Sequence, residues 1–184
     1  MIITNRLTIR KEHIDDAAGI QALLMEPDGR IFTGGVKSKT IEEIESAIRK
    51  NLDSFSLDMN EVKTGKKNCI FNVERNDSRE YIGYCGFKYC EVIKDVEIFY
   101  GYLKQNWNMG FGKEAAHAVL DFGFSKTNME ELFAAVNPKN VASENILKAI
   151  GMIFRKQIEW PNQGWVNLYS LNREEYQKES KRRA

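Results

Sequence analysis

Two glycines, one carboxylate and a pair of small polar residues are the parts of this 184-residue chain that could do chemistry. Gly110 and Gly112 flank Phe111 just ahead of Lys113, at a point where a strand-like run gives way to a helical one. A helix entered through glycine leaves its first N–H groups bare, and with the positive end of the helix dipole these make a site for an anion, phosphate above all. Glu97 stands in an otherwise apolar and aromatic run, where a carboxylate is disfavoured by strand propensity and costly to bury. It is a candidate general base; the alternative is a solvent-facing residue, or one paired with Lys94 or Lys104. Asn140 and Ser143 stand at a helix start with N-cap spacing, which by itself is a sufficient reason for both.

The glycine pair has two other readings. The stretch from Gly110 to Ala115 formally satisfies the GxGxxG/A dinucleotide fingerprint. It lies past the middle of the chain, however, after three strand-like runs, and the next predicted strand (132–136) ends on Asn137 instead of the acid that a ribose-binding site wants. A phosphate-binding loop of the GxxxxGK type is excluded because the pattern does not occur.

Composition narrows the class. Lys plus Arg is 27 against 26 for Asp plus Glu, a formal charge of +1, which gives no general electrostatic reason to expect nucleic acid. No run of eighteen apolar residues reads as a membrane span, and the N-terminus begins at once with strand-like sequence instead of a signal peptide. Cys69, Cys85 and Cys90 are odd in number and lie in predicted strands; with only His13 and His117 beside them, no zinc spacing appears. Buried free thiols in a reducing cytoplasm are the expectation, with no metal. Trp107, Trp160 and Trp165 lack a basic surround and read as packing residues. Residues 1–184 are expected to form one domain by length, with a basic C-terminal tail at about 175–184 whose last turn, Lys178 to Arg183, reads as solvated.

The elements that must position these groups follow from periodicity. Residues 7–10 alternate as a strand; 15–25 carry Ala17, Ile20, Leu23 and Leu24 at helical spacing. Thr40 and Glu43 make a capping box for a second helix ending near Phe55. Runs at 69–75, 81–88 and 92–103 make an antiparallel meander. A helix from Gly112 to about Lys126, a strand at 132–136, a helix capped by Asn140 and stopped by Gly151, and a hairpin of 153–160 with 165–171 complete the order.

The motifs resemble one family over nearly the whole chain. Glu97, Ile98 and Tyr100, followed by Trp107, Gly110, Phe111, Gly112, Lys113, Glu114 and Ala115, resemble the core motif of the GNAT superfamily of N-acetyltransferases, specifically its RimJ/RimL-like ribosomal-protein branch. Asn137-Pro138-Lys139-Asn140 with Ser143 and Gly151-Met152, and upstream Thr4 with Arg6-Leu7 and Arg10, resemble two further elements of that branch in the same order. Trp107 stands where the wider superfamily has Gln or Arg, Asn108 where the branch has glycine, and Phe99 where it has another glycine. The implied fold is α+β: an α/β sandwich with a mixed, mostly antiparallel sheet of about seven strands flanked by helices.

The resemblance also implies roles. Acetyl-CoA is the cosubstrate; Trp107, Asn108, Met109, Gly110, Gly112 and Lys113 would hold its pyrophosphate, and the strand at Tyr100 and Tyr102 would pair with its pantetheine arm. Asn140 would contact that arm, with Asn145 as a further polar contact. Ser143 would lie near the sulfur as proton donor, with Tyr100 or Tyr102 as stand-ins, and Glu97 would be the base. The acceptor would be a primary amine, either a protein N-terminus or a small molecule, and residues 29–39 a candidate specificity loop. Two alternatives are a non-catalytic acyl-CoA-binding module and, more distantly, a dinucleotide-binding oxidoreductase.

Overall fold

The computed structural model describes residues 1–27 and 39–183. The expected specificity loop at 29–39 therefore lies outside the described residues, save Lys39. The strands are β1 (Ile2–Ile3), β2 (Leu7–Arg10), β3 (Cys69–Arg75), β4 (Tyr81–Cys90), β5 (Asp95–Tyr102), β6 (Glu131–Val136), β7 (Ile153–Trp160) and β8 (Gly164–Asn172). The helices are α1 (Ala17–Met25), α2 (Ile41–Asp53), α3 (Met59–Lys63), α4 (Phe111–Lys126), α5 (Val141–Ala149) and α6 (Arg173–Arg183).

All eight strands form one sheet in the order β1-β2-β3-β4-β5-β6-β8-β7. Every neighbouring pair is antiparallel except β5 and β6, which run parallel. One face carries the main core. There Leu7, Ile9, Phe71, Val73, Phe87 and Ile98 meet Ala115, Val119 and Leu120 of α4. Alanine at the contact lets the helix sit close to the sheet, and each fully buried Leu, Ile or Phe contributes roughly 1.5–3 kcal/mol. The smaller cluster of Ala17, Ile44 and Ile48 joins α1 to α2. α1 lies on β4, with Gly19 so close to Tyr81 that a Cβ would fall 2.5 Å from the ring.

The capping box that starts α2 is present, with Glu43 N–H donating to Thr40 Oγ1 at 3.2 Å and Thr40 N–H to Glu43 Oε2 at 2.8 Å. Asn140 Oδ1 accepts from Ser143 N–H at 3.1 Å at the head of α5. The expected strand at 92–103 is shorter, since residues 91–94 form the turn between β4 and β5. Three of the described elements are additional: β1, α3 and the C-terminal α6. The two-residue β1 is too short to show a period, and α3 is a five-residue helix whose Met59 N–H is held by Asn128 Oδ1 at 2.8 Å, a contact between distant parts of the chain.

The C-terminal end is helical: its first turn is held against the rest of the fold, while Lys178, Lys181 and Arg182 of the basic run are exposed. α6 docks: Tyr176 stacks on Phe124 with centroids 4.7 Å apart, and Arg173 Nη1 donates to the Phe124 carbonyl at 2.8 Å. Nη2 reaches the Thr127 carbonyl at 3.3 Å, and Nε pairs with Glu130 at 3.0 Å. A helix end leaves its last carbonyls unpaired and carries negative partial charge, so a guanidinium is well matched to it.

Candidate active site

Only one residue pair, Glu97 opposite Phe133, joins β5 to β6 in register. Beyond it β5 continues to Tyr102 and β6 to Val136, and the two strands part. Hydrogen-bonded pairs alternate along antiparallel strands. Leu103 N–H donates to the Ile82 carbonyl at 2.9 Å, so with the β4–β5 register the backbone of Glu97, Phe99 and Gly101 faces β4. The backbone of Ile98, Tyr100 and Tyr102 faces the gap. The Tyr102 carbonyl is already taken, accepting from the Trp107 indole at 2.7 Å. This leaves the N–H groups of Tyr100 and Tyr102 and the Tyr100 carbonyl to line the opening.

The same indole contact ties the turn ahead of α4 to the end of β5. Asn108 has φ 60° and Gly110 φ 80°, left-handed backbone that asparagine tolerates and glycine adopts without strain. The Asn108 replacement therefore preserves the turn. Gly110 is the N-cap of α4 and supplies no side-chain hydrogen bond; the helix begins with Glu114 N–H on the Gly110 carbonyl at 3.1 Å. The N–H groups of Phe111, Gly112 and Lys113 have no acceptor within the helix, and the Lys113 side chain is exposed. Met109 is also exposed. Gly112 has a packing reason as well as any ligand reason: a Cβ there would lie 3.0 Å from Ile146 and 3.1 Å from the Tyr102 ring.

On the α4 side of the gap the Tyr100 hydroxyl lies 3.0 Å from Ser143 Oγ and 3.1 Å from the Ser143 carbonyl. Burial pushes the Tyr100 hydroxyl well above its ordinary pKa, against the opposing pull of its Ser143 hydrogen bond. It stays neutral at physiological pH and can donate a proton. Tyr102 points into the core, where burial also raises its pKa, and its ring packs against Gly112. Asn140 is engaged as the cap of α5. Asn145 is exposed on that helix and makes no described contact with Tyr100 or Ser143.

Glu97 projects to the opposite face from Tyr100, because side chains alternate along a strand. It is 9% exposed. Its partner is Lys88 Nζ at 3.6 Å, in place of the anticipated Lys94 or Lys104. That ammonium also lies 4.6 Å from the Phe99 ring centroid. Burial raises the Glu97 pKa, and the attraction of Lys88 offsets only part of the rise. The gap thus has a carboxylate on one face of the sheet and a paired tyrosine and serine on the other.

Sequence reasoning passed over Lys88 and treated Arg6 only as a motif letter. Arg6 is bonded to Glu114 through Nε at 2.7 Å and to the Met109 carbonyl through Nη1 at 2.9 Å. Burial raises the Glu114 pKa, but hydrogen bonds from Thr4 and Arg6 outweigh it and hold the group below the ordinary range. The cysteines are buried and free, and among the described residues no group of three His, Cys, Asp or Glu could hold a metal ion. No described helix is long and apolar enough to cross a membrane.

A mixed sheet that parts at its single parallel pair, with a glycine-entered helix at the opening, defines the acyl-CoA N-acyltransferase architecture. A family model for the acetyltransferase (GNAT) domain matches residues 6–153, and the chain belongs to that family of acetyl-CoA-dependent acetyltransferases. It is 26% identical over 157 residues to the uncharacterised N-acetyltransferase p20 of Bacillus licheniformis, covering 85% of this chain and 83% of that one. A GNAT-family acetyltransferase from Bacillus anthracis shares the fold with TM-score 0.75 and 23% identity, over 94% of this chain and 98% of that one. The spermidine N-acetyltransferase of Vibrio cholerae, solved with CoA and spermine, does so with TM-score 0.75 and 15% identity over 95% and 99%. The dinucleotide alternative fails on topology, since that fold needs a mostly parallel, doubly wound sheet.

Proposed function

We propose that the chain transfers an acetyl group from acetyl-CoA directly to a primary amine, with no covalent enzyme intermediate. The observation that carries this reading is the parted pair of strands, with Glu97 on one face and the Tyr100–Ser143 hydroxyls on the other. The cosubstrate fits the residues present: bare N–H groups at the mouth of α4 suit a diphosphate, and the unpaired backbone of Tyr100 and Tyr102 suits the amides of a pantetheine arm. Bound there, it supplies an activated acetyl thioester.

The roles then follow from protonation. Glu97 takes a proton from the ammonium so that the nitrogen lone pair can attack, and its raised pKa suits a base at neutral pH. An N–H of Tyr100 or Tyr102 stabilises the oxyanion as the carbonyl carbon becomes tetrahedral. When the C–S bond breaks and the amide forms, Tyr100 protonates the departing thiolate, and the second proton released by the nitrogen restores the Tyr100 hydroxyl. Ser143 holds the Tyr100 hydroxyl, a better assignment than serine as the acid, since a serine hydroxyl has the higher pKa. Asn140 keeps Ser143 in place by capping α5. Trp107 joins the diphosphate end of the site to the strand, and Asn108, Met109 and Lys113 complete its rim.

For the acceptor we infer a peptide N-terminus, as in the RimJ/RimL-like branch whose motifs the chain carries, or a small monoamine. Lys88 places a positive charge beside Glu97, which disfavours a polycation at that position. The experiment is thioester consumption with N-terminal peptides, monoamines and spermidine. Turnover with peptides or monoamines in preference to spermidine supports the reading, and preference for spermidine overturns the acceptor assignment. Acetyl-CoA binding without turnover on any amine would favour the non-catalytic binding module. A cytoplasmic location accords with three reduced, buried thiols.

A further inference from the structure

Arg6 has no part in the reaction as derived above, and it sits in the turn between β1 and β2, yet its donors converge on the mouth of α4. Nη1 donates to the Met109 carbonyl at 2.9 Å, Nε to Glu114 Oε2 at 2.7 Å, and the backbone N–H to Glu114 Oε1 at 3.0 Å. The guanidinium carbon lies 4.6 Å from the Phe111 ring centroid. The Thr4 hydroxyl holds Glu114 from the same turn at 2.6 Å, so the clamp is braced on both partners.

The planarity of the peptide unit gives this clamp a consequence. In a trans peptide the carbonyl of one residue and the N–H of the next point in opposite directions. Holding the Met109 carbonyl toward Arg6 therefore turns the Gly110 N–H to the other side of the loop. The flanking residues Asn108 and Gly110 are both left-handed, and successive N–H groups in such a turn form a concave anion site. A flip of the 109–110 peptide would present an oxygen to an anion where an N–H is needed.

We propose that Arg6 is a positioning residue for the diphosphate of acetyl-CoA, acting through the Met109–Gly110 peptide and not on the reacting atoms. The proposal rests on the reading of the α4 mouth as the diphosphate site. The simpler alternative is that Arg6 only staples the β1–β2 turn to α4. Lysine cannot substitute fully, because one point donor does not reach the Met109 carbonyl and Glu114 together as the guanidinium fork does.

The test compares the unaltered protein with Arg6→Gln and Arg6→Lys, using acetyl-CoA and acetyl-pantetheine, which lacks the diphosphate and nucleotide. Arg6→Gln is expected to weaken acetyl-CoA binding by about tenfold or more, which is roughly 1.4 kcal/mol or above. The KM for acetyl-pantetheine and the kcat at saturating acetyl-CoA should stay within about twofold of the unaltered protein, with Arg6→Lys intermediate in acetyl-CoA affinity. In the 15N–1H spectrum the Gly110 amide should shift on adding CoA to the unaltered protein and respond less in Arg6→Gln. Unchanged acetyl-CoA affinity in both variants, or an equal loss with both thioesters, would overturn the positioning role. If Arg6→Gln does not fold, Arg6→Lys alone decides between these outcomes. An unaltered protein that binds acetyl-CoA no better than acetyl-pantetheine would instead overturn the diphosphate site itself, and this proposal with it.

Discussion

Glu97 carries the largest chemical consequence of any single side chain. Glu97→Gln keeps the shape and removes the base, so kcat should fall by about 100-fold or more while acetyl-CoA affinity is unchanged. The acidic limb of kcat/KM should titrate above the ordinary carboxylate range, in the direction of the shift that burial imposes. The same shift has a stability sign. The folded state holds this proton more tightly than the unfolded chain, so ionisation costs stability as the pH rises from the ordinary carboxylate pKa through the raised one. Glu97→Gln should therefore melt above the unaltered protein at pH 8, with the gap closing in acid; a lower melting midpoint at pH 8 would contradict the burial argument. Tyr100 makes a separate prediction. Tyr100→Phe should slow turnover by about 100-fold with acetyl-CoA, and by much less with a thioester whose thiol is more acidic. Equal slowing with both would point to a packing role for the hydroxyl.

Among the elements, α6 is the one whose importance was least visible beforehand. Its sequence is strongly polar, and what fixes it is an aromatic stack on Phe124, Arg173 on a carbonyl of the last turn of α4, and the ion pair of Glu175 with Arg155 of β7. The partners on α4 are about fifty residues away in the chain, beyond the reach of any local period. Tyr176→Ala should cost about 2 kcal/mol, part from lost burial and part from the ring pair, and lower the melting midpoint by roughly 4–8 °C. An unchanged midpoint in thermal denaturation would show that the stack does not hold the helix. α2 is the opposite case. Thr40 and Glu43 announce the cap in one short stretch, and the structure forms it as expected, with Ile44 and Ile48 buried on the same helix.

At the scale of the molecule, the site is a seam between two halves of the sheet. The meander β2-β3-β4-β5 with α4 makes one half, and β6-β8-β7 with α5 the other, joined in register at Glu97 and Phe133. A ligand that fills the opening, bonded to the β5 backbone and the mouth of α4, should stabilise the folded state. At a hundredfold excess over its Kd, acetyl-CoA should contribute about 2.7 kcal/mol, a rise of roughly 5–10 °C in melting midpoint for a chain of this size. NAD at the same concentration should leave the midpoint unchanged. A shift with NAD alone would reverse the assignment of the glycine turn.

Sequence by itself determined the order of the larger elements, the helix entered at Gly110 and the unusual carboxylate at Glu97, because periodicity, caps and out-of-place charges are local properties of the chain. Its three ordered motifs also indicated the family. Only the tertiary structure decided what these residues face. It set Lys88 beside Glu97, turned Tyr100 toward Ser143 and Tyr102 into the core, and gave Gly112 a packing partner. Cross-strand register decides which face of β5 each side chain takes, since a shift of one residue would exchange the two faces, and the docking of α4 and α5 on the sheet decides the rest. Arg6 shows the same limit most plainly: its bond to the Met109 carbonyl spans 103 positions of the chain, a distance over which only folding brings donor and acceptor together.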